Sequence, residues 1–206
     1  MREILPGVHH WTAVHPSTGM RASSYWVEPA GVLVDPLEPE EGLDAFERAA
    51  VGPQQVVLTT GLHGRHAERF AEAFSIPIRA PREATERVGD RLRFDAYTDH
   101  EELAPGVRAA RIGVLCPAEY ALHLAEPVGA ISFADALHHH GEALGFFSDG
   151  LLGDDPQQVK DGLMQQFQAL LERDFDNLLF AHGEPIVGGG KKALRDFVRS
   201  GVGQVL

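Results

Sequence analysis

Four short apolar runs, each stopped by a polar residue, constrain this chain most. They are Val32-Leu33-Val34 before Asp35, Val56-Val57-Leu58 before Thr59, Ile131-Ser132-Phe133-Ala134 before Asp135, and Leu178-Leu179-Phe180-Ala181 before His182. Runs this short and this apolar read as buried strands. Between them lie segments of other character. Residues 8–14 and 22–28 are aromatic and β-branched, and with the run ending at Asp35-Pro36 they predict an opening antiparallel meander. Residues 76–80, 107–113 and 119–125 are further strand candidates. Leu43, Phe46 and Ala50 recur at helical spacing, as do Ala67, Phe70, Ala71 and Phe74. The clearest helix covers about 157–172, with Asp155 as cap, Pro156 in the first turn and a stripe of Val159, Leu163, Phe167, Leu170 and Leu171. Lys191 to Val198 reads as a closing helix. The resulting order, β-β-β-α-β-α followed by β-β-β-α-β-α, predicts two sheets packed together with helices outside, in one domain spanning 1–206.

Composition excludes several classes. A formal net charge of −12 opposes nucleic-acid binding, which needs clustered Lys and Arg, and opposes docking on anionic membranes. One cysteine, Cys116, rules out an intrachain disulfide and a cysteine-based zinc site, and a small buried side chain is its expected role. Apolar runs fall short of the roughly 18 to 20 residues that cross a bilayer. The Met1–Gly7 stretch has no apolar signal-peptide core, so the expectation is a cytoplasmic protein.

In order and spacing the four runs resemble the metallo-β-lactamase superfamily. Gly31-Val32-Leu33-Val34-Asp35-Pro36 is like the family's first glycine-hydrophobic-Asp-Pro strand end. Thr59-Thr60-Gly61-Leu62-His63-Gly64-Arg65-His66 sits where the family carries T-H-x-H-x-D-H. Ala134-Asp135-Ala136-Leu137 is similar to Gly-Asp-x-Leu, and His182-Gly183-Glu184-Pro185 to Gly-His-Gly-x-Pro. The resemblance implies a four-layer αββα sandwich, two mixed β-sheets flanked by helices. In working members these motifs hold one or two metal ions, commonly zinc or iron, that activate water.

Residue by residue, the motifs are divergent. Aligned without a gap, Thr60, Leu62, Gly64 and Arg65 occupy the first motif's ligand positions, and Leu115 stands for the histidine of the G-H-T-P segment. Sliding by one residue puts His63 and His66 onto ligand positions, while Asp135 and His182 are kept either way. The expected pocket is therefore His63, Arg65, Asp135 and His182, with His63, His66, Asp135 and His182 as candidate ligands of one divalent metal (zinc, iron or manganese), or with no metal at all. In the metal-free version Arg65 would pair with Asp135 in a bidentate manner, because an unpaired buried carboxylate is costly. Two readings follow. One is a divergent protein without the usual dinuclear site that binds a small molecule or a partner. The other is a hydrolase with a mononuclear site acting on an ester, thioester, amide or phosphate bond.

Other histidines read more plainly. His138-His139-His140 follows Asp135 and is expected as a solvated loop that turns at most one ring, such as His139, toward the pocket. His9 and His10 fall on opposite faces of a strand and form no pair site, and His66 is expected to point outward from its helix. His15 is placed no nearer than the rim. The acidic stretch 148–155 lacks a calcium-loop pattern, and Gly188-Gly189-Gly190-Lys191-Lys192 lacks the phosphate-loop arrangement. Trp11, Tyr25 and Trp26 fit core packing or an exposed aromatic patch, and they assign no oligomeric state.

Overall fold

The computed structural model describes residues 1–46, 51–88, 91–125, 127–141, 143–201 and 204–205. The opening meander forms from β1 (Arg2–Leu5), β2 (Val8–Val14), β3 (Arg21–Val27) and β4 (Val32–Val34), all antiparallel. Parallel strands β5 (Gln55–Val57), β6 (Ile78–Pro81) and β7 (Asp95–Tyr97) extend it into a seven-stranded sheet in sequence order. Helix α1 (Ala67–Phe74) lies between β5 and β6, and a short α2 (Thr85–Val88) follows β6. The second sheet runs β8 (Glu102–Ala104), β9 (Val107–Arg111), β10 (Tyr120–Leu124) and β11 (Ala130–Phe133), antiparallel throughout. Beyond helix α3 (Pro156–Leu170), β14 (Asn177–Phe180) joins it parallel to β11. A small third sheet holds β12 (His138–His140), β13 (Ala143–Phe146) and β15 (Gln204–Val205). Helix α4 (Gly190–Ser200) lies between β14 and β15.

Strand periodicity explains the layering. Neighbouring side chains on a strand point to opposite faces, so a strand apolar throughout must be covered on both sides. Val32 and Val34 enter a core between the two large sheets, while Leu33 enters a core on the outer face that includes Ala67 and Phe70 of α1. Val57 and Val56 divide in the same way. In the second sheet Leu179 faces inward, whereas Leu178 and Phe180 pack outward among Leu163 and Phe167 of α3 and Leu194 and Phe197 of α4. Three apolar interfaces thus separate four layers, αββα. The Tyr25 hydroxyl pins the sheets together: it donates to the Phe180 carbonyl at 2.9 Å and accepts from the Phe180 amide at 3.0 Å.

Helix α3 begins as its sequence dictates, with the Asp155 carboxylate accepting from the Gln158 amide and Pro156 in the first turn. The expected helix through Ala50 is only partly visible: Leu43–Phe46 is a single 3-10 turn, and residues 47–50 lie outside the described residues. Strands β1, β7 and β8 carry too few apolar residues to announce themselves and form because an edge backbone is available to pair with. Among the described residues, no helix is long and apolar enough to cross a membrane. Trp11, Tyr25 and Trp26 are core residues. Cys116 is half-buried and packs against the outer core of the first sheet.

Phe167 is fully buried between Phe133, Phe146 and Phe197. Phe167→Ala is expected to cost about 3–5 kcal/mol in a urea titration, through lost transfer energy plus a cavity.

Candidate metal centre

Both halves of the site rest on parallel strand ends. Strand β11 pairs with β14 so that Phe133 lies opposite Phe180. Asp135 and His182 each follow two residues later, so the register alone sets them side by side. Strand β4 pairs with β5 so that Val34 lies opposite Val57, which brings Asp35 beside Thr59.

Asp35 is the buried anchor. Its Oδ1 accepts from the Thr59 amide at 2.8 Å, and its Oδ2 accepts from the Thr59 hydroxyl and meets His63 Nδ1 at 2.8 Å. Its backbone takes the left-handed conformation, with φ of 45°, which a residue other than glycine seldom adopts. Turned this way, His63 presents Nε2 to Asp135 Oδ1 at 3.3 Å, while His182 Nε2 reaches the same oxygen at 3.1 Å. Ligand atoms of His63, Asp135 and His182 all lie within 4.8 Å of one another. A carboxylate behind a ligating imidazole fixes its tautomer and raises its basicity, and Asp35 stands in that place behind His63.

Charge follows from this geometry. Burial and the Arg65 guanidinium push the His63 imidazole down, but the carboxylates of Asp35 and Asp135 outweigh them and raise it to about 9. Burial would raise Asp135, yet His63 and His182 hold it well below the usual carboxylate range. Asp35 behaves alike: burial raises it, and His63, Arg65 and Thr59 together bring it down.

Arg65 does not make the expected bidentate pair with Asp135. Its Nη1 donates to the carbonyl oxygens of Ser23 at 2.8 Å and Asp35 at 2.7 Å. The side chains that meet the Asp135 carboxylate are the two histidines. The His63 imidazole, and not the guanidinium, stands beside the carboxylate, because the guanidinium is committed to backbone oxygens.

The remaining candidates divide. His66 stands just before α1, its Nδ1 accepts from the Glu38 amide at 2.9 Å, and it does not join the His63, Asp135 and His182 group. His138–His140 is strand β12 and not a solvated loop; His138 is buried, donates Nε2 to the Asp135 carbonyl at 3.1 Å and packs on the Phe147 ring. His139 Nδ1 is occupied by the Glu184 carbonyl at 2.7 Å. Thr60 pairs with Glu119 through a backbone bridge, Leu62 is exposed, and Leu115 packs against the core beneath α3.

Glu119 carries structural weight that its sequence setting does not betray, since a lone acid at the start of an apolar strand has no motif. It is buried, and its Oε1 accepts from the Asp135 and Ala136 amides at 2.8 and 2.5 Å, which clamps the turn bearing Asp135. Burial, reinforced by Asp135, raises its carboxyl to about 8. Gly183, next to His182, has φ of 113°, and a Cβ there would overlap the His139 carbonyl oxygen.

Against solved structures, the chain superposes on the DIM-1 metallo-β-lactamase with a TM-score of 0.71 over 97% of this chain and 96% of that one, at 12% identity. The chain has the metallo-β-lactamase fold. A metallo-β-lactamase family protein from Thermus thermophilus, TTHA1429, superposes with a TM-score of 0.64 over 96% of this chain and 80% of that one, at 14% identity. TTHA1623, solved in a di-iron-bound form, gives 0.66 over 91% and 99%, at 19% identity. No family model matches the sequence, and no curated protein matches it. At these identities the likeness concerns the metallo-β-lactamase architecture alone.

Two outcomes follow. Gly183→Ala should lose roughly 2–4 kcal/mol of stability in a urea titration, because positive φ and backbone overlap add. His10, stacked on Tyr25 and bonded to Ser23 Oγ at 2.9 Å, has its imidazole pushed down by burial from 6.5 to about 4. The unfolded chain therefore takes up this proton first as pH falls, and stability is lost from about pH 6.5 down toward pH 4. Comparing urea midpoints at neutral pH and near pH 5, His10→Gln should show a drop smaller by about 1 kcal/mol than the parent, allowing for partial solvent screening.

Proposed function

We propose that this chain is a hydrolase that works with a single divalent ion, zinc, iron or manganese, held by His63, Asp135 and His182. One observation carries the reading: two imidazole nitrogens and a carboxylate oxygen converge within 4.8 Å of one another, with Asp35 aligned behind one of the imidazoles. Two histidines and one carboxylate make a donor set that suits a catalytic ion and leaves it an open position. Such an ion supplies Lewis acidity toward water and toward an ester, thioester, amide or phosphate bond. The chain's own residues do the positioning. Asp35 holds the Nδ1 proton of His63 and frees Nε2 for binding, while Glu119 holds the backbone from which Asp135 projects.

A second reading rests on the same histidine. With a carboxylate at each ring nitrogen, a protonated His63 can itself serve as the cation between Asp35 and Asp135. The pocket is then metal-free, and the protein binds a small molecule or a partner.

Metal analysis of untagged protein separates the two. The hydrolase reading expects stoichiometric zinc, iron or manganese that is lost in Asp135→Asn and His182→Ala. No metal uptake and no thermal shift at saturating zinc, iron and manganese would rule it out and leave the metal-free pocket.

A further inference from the structure

The Arg65 guanidinium is half spent. Both protons of Nη1 go to backbone carbonyls, those of Ser23 and Asp35, which fix the plane of the group. Among the described residues, Nε and Nη2 donate to no protein acceptor, and neither is among the buried atoms sealed off without a partner. These two nitrogens form one edge of the planar fork, the geometry that grips a carboxylate or phosphate with two parallel hydrogen bonds. The group stands next to the centre, since it bonds the carbonyl of Asp35, whose carboxylate holds His63, yet among the described residues it makes an ion pair with neither Asp35 nor Asp135.

We infer that Arg65 is an oxyanion-recognition group on the Asp35 side of this site and that the natural ligand carries a carboxylate or phosphate. The inference rests on the single-ion reading in one respect. With a divalent ion bound and both histidines neutral, the charges of the ion and Arg65 exceed those of Asp35 and Asp135, so the pocket as a whole attracts an anion. The anchored fork adds orientation. Its plane is set before the ligand arrives, so binding orders little that is not already ordered. The backbone of Arg65 is itself held at φ of 40°, an unusual conformation that the two carbonyl bonds help to maintain.

The test is calorimetric titration of inorganic phosphate and of acetate into the parent protein and Arg65→Gln, with zinc content and melting temperature measured on both. Gln keeps one amide donor for the carbonyls and removes the charge and the fork. The expected result is that the better-bound probe loses affinity by about tenfold or more in Arg65→Gln while zinc content stays the same. Equal affinity in the two proteins, or no binding of either probe to the parent, overturns the inference. If Arg65→Gln fails to fold, Arg65→Lys retains the charge without the fork, and it too must bind the probe more weakly than the parent. Should neither protein take up zinc, the single-ion reading fails, and the dependence of anion binding on residue 65 still decides the role of Arg65.

Discussion

A buried carboxylate, Asp35, organises the site. Taking an ionised carboxylate out of water is costly unless every lone pair is met, and Asp35 meets the cost with the Thr59 amide, the Thr59 hydroxyl and the His63 imidazole. Those bonds tie the end of β4 to the end of β5 and, through His63, to Asp135 on the other sheet. Even the Asp35 carbonyl is used, by Arg65 and by the Ser24 hydroxyl. One residue therefore sets the orientation of the imidazole, the path of the loop after β5 and the anchorage of the guanidinium. The strained backbone at Asp35 persists because so many partners determine it together.

The opposite wall has a different construction. Asp135 and His182 meet because β11 and β14 run parallel in register, and parallel strands carry their ends to a common rim. Glu119 then fixes the turn after β11 by accepting two backbone amides. Gly183 lets the chain after β14 pass so close to β12 that any side chain would collide with the His139 carbonyl. The site is thus assembled by backbone geometry at the edges of two sheets, and its side chains need only short reach.

The distribution of charge explains why two functional readings come from one set of atoms. Two carboxylates face His63, and a positive charge must stand between them, whether a proton on Nε2 or a metal ion in its place. Arg65 is near enough to be felt but is turned to the Ser23 and Asp35 carbonyls, which leaves its other edge available.

Much of this was legible in the residues. Apolar runs ending at Asp35, Thr59, Asp135 and His182 define the central strands, and Asp155-Pro156 announces α3, because burial on two faces and helix capping are local requirements written in local residues. Asp135 and His182 were visible as strand ends. His63 was a candidate beside His66 and Arg65, but which of them meets Asp135 was not legible. His63 faces Asp135, and His66 turns away to the Glu38 amide, because the loop's path is set by the left-handed turn at Arg65 and by the bond to Asp35. His138 is a buried strand residue because β13 pairs with it. Glu119 acts on the Asp135 turn across the sheet, at a sequence distance that no local pattern reports. The sequence by itself determined the layers and the strand ends, through hydrophobic periodicity. Only the tertiary structure decided which imidazole, which carboxylate and which face of Arg65 meet at the rim, because those choices depend on backbone turns and on partners brought from the other sheet.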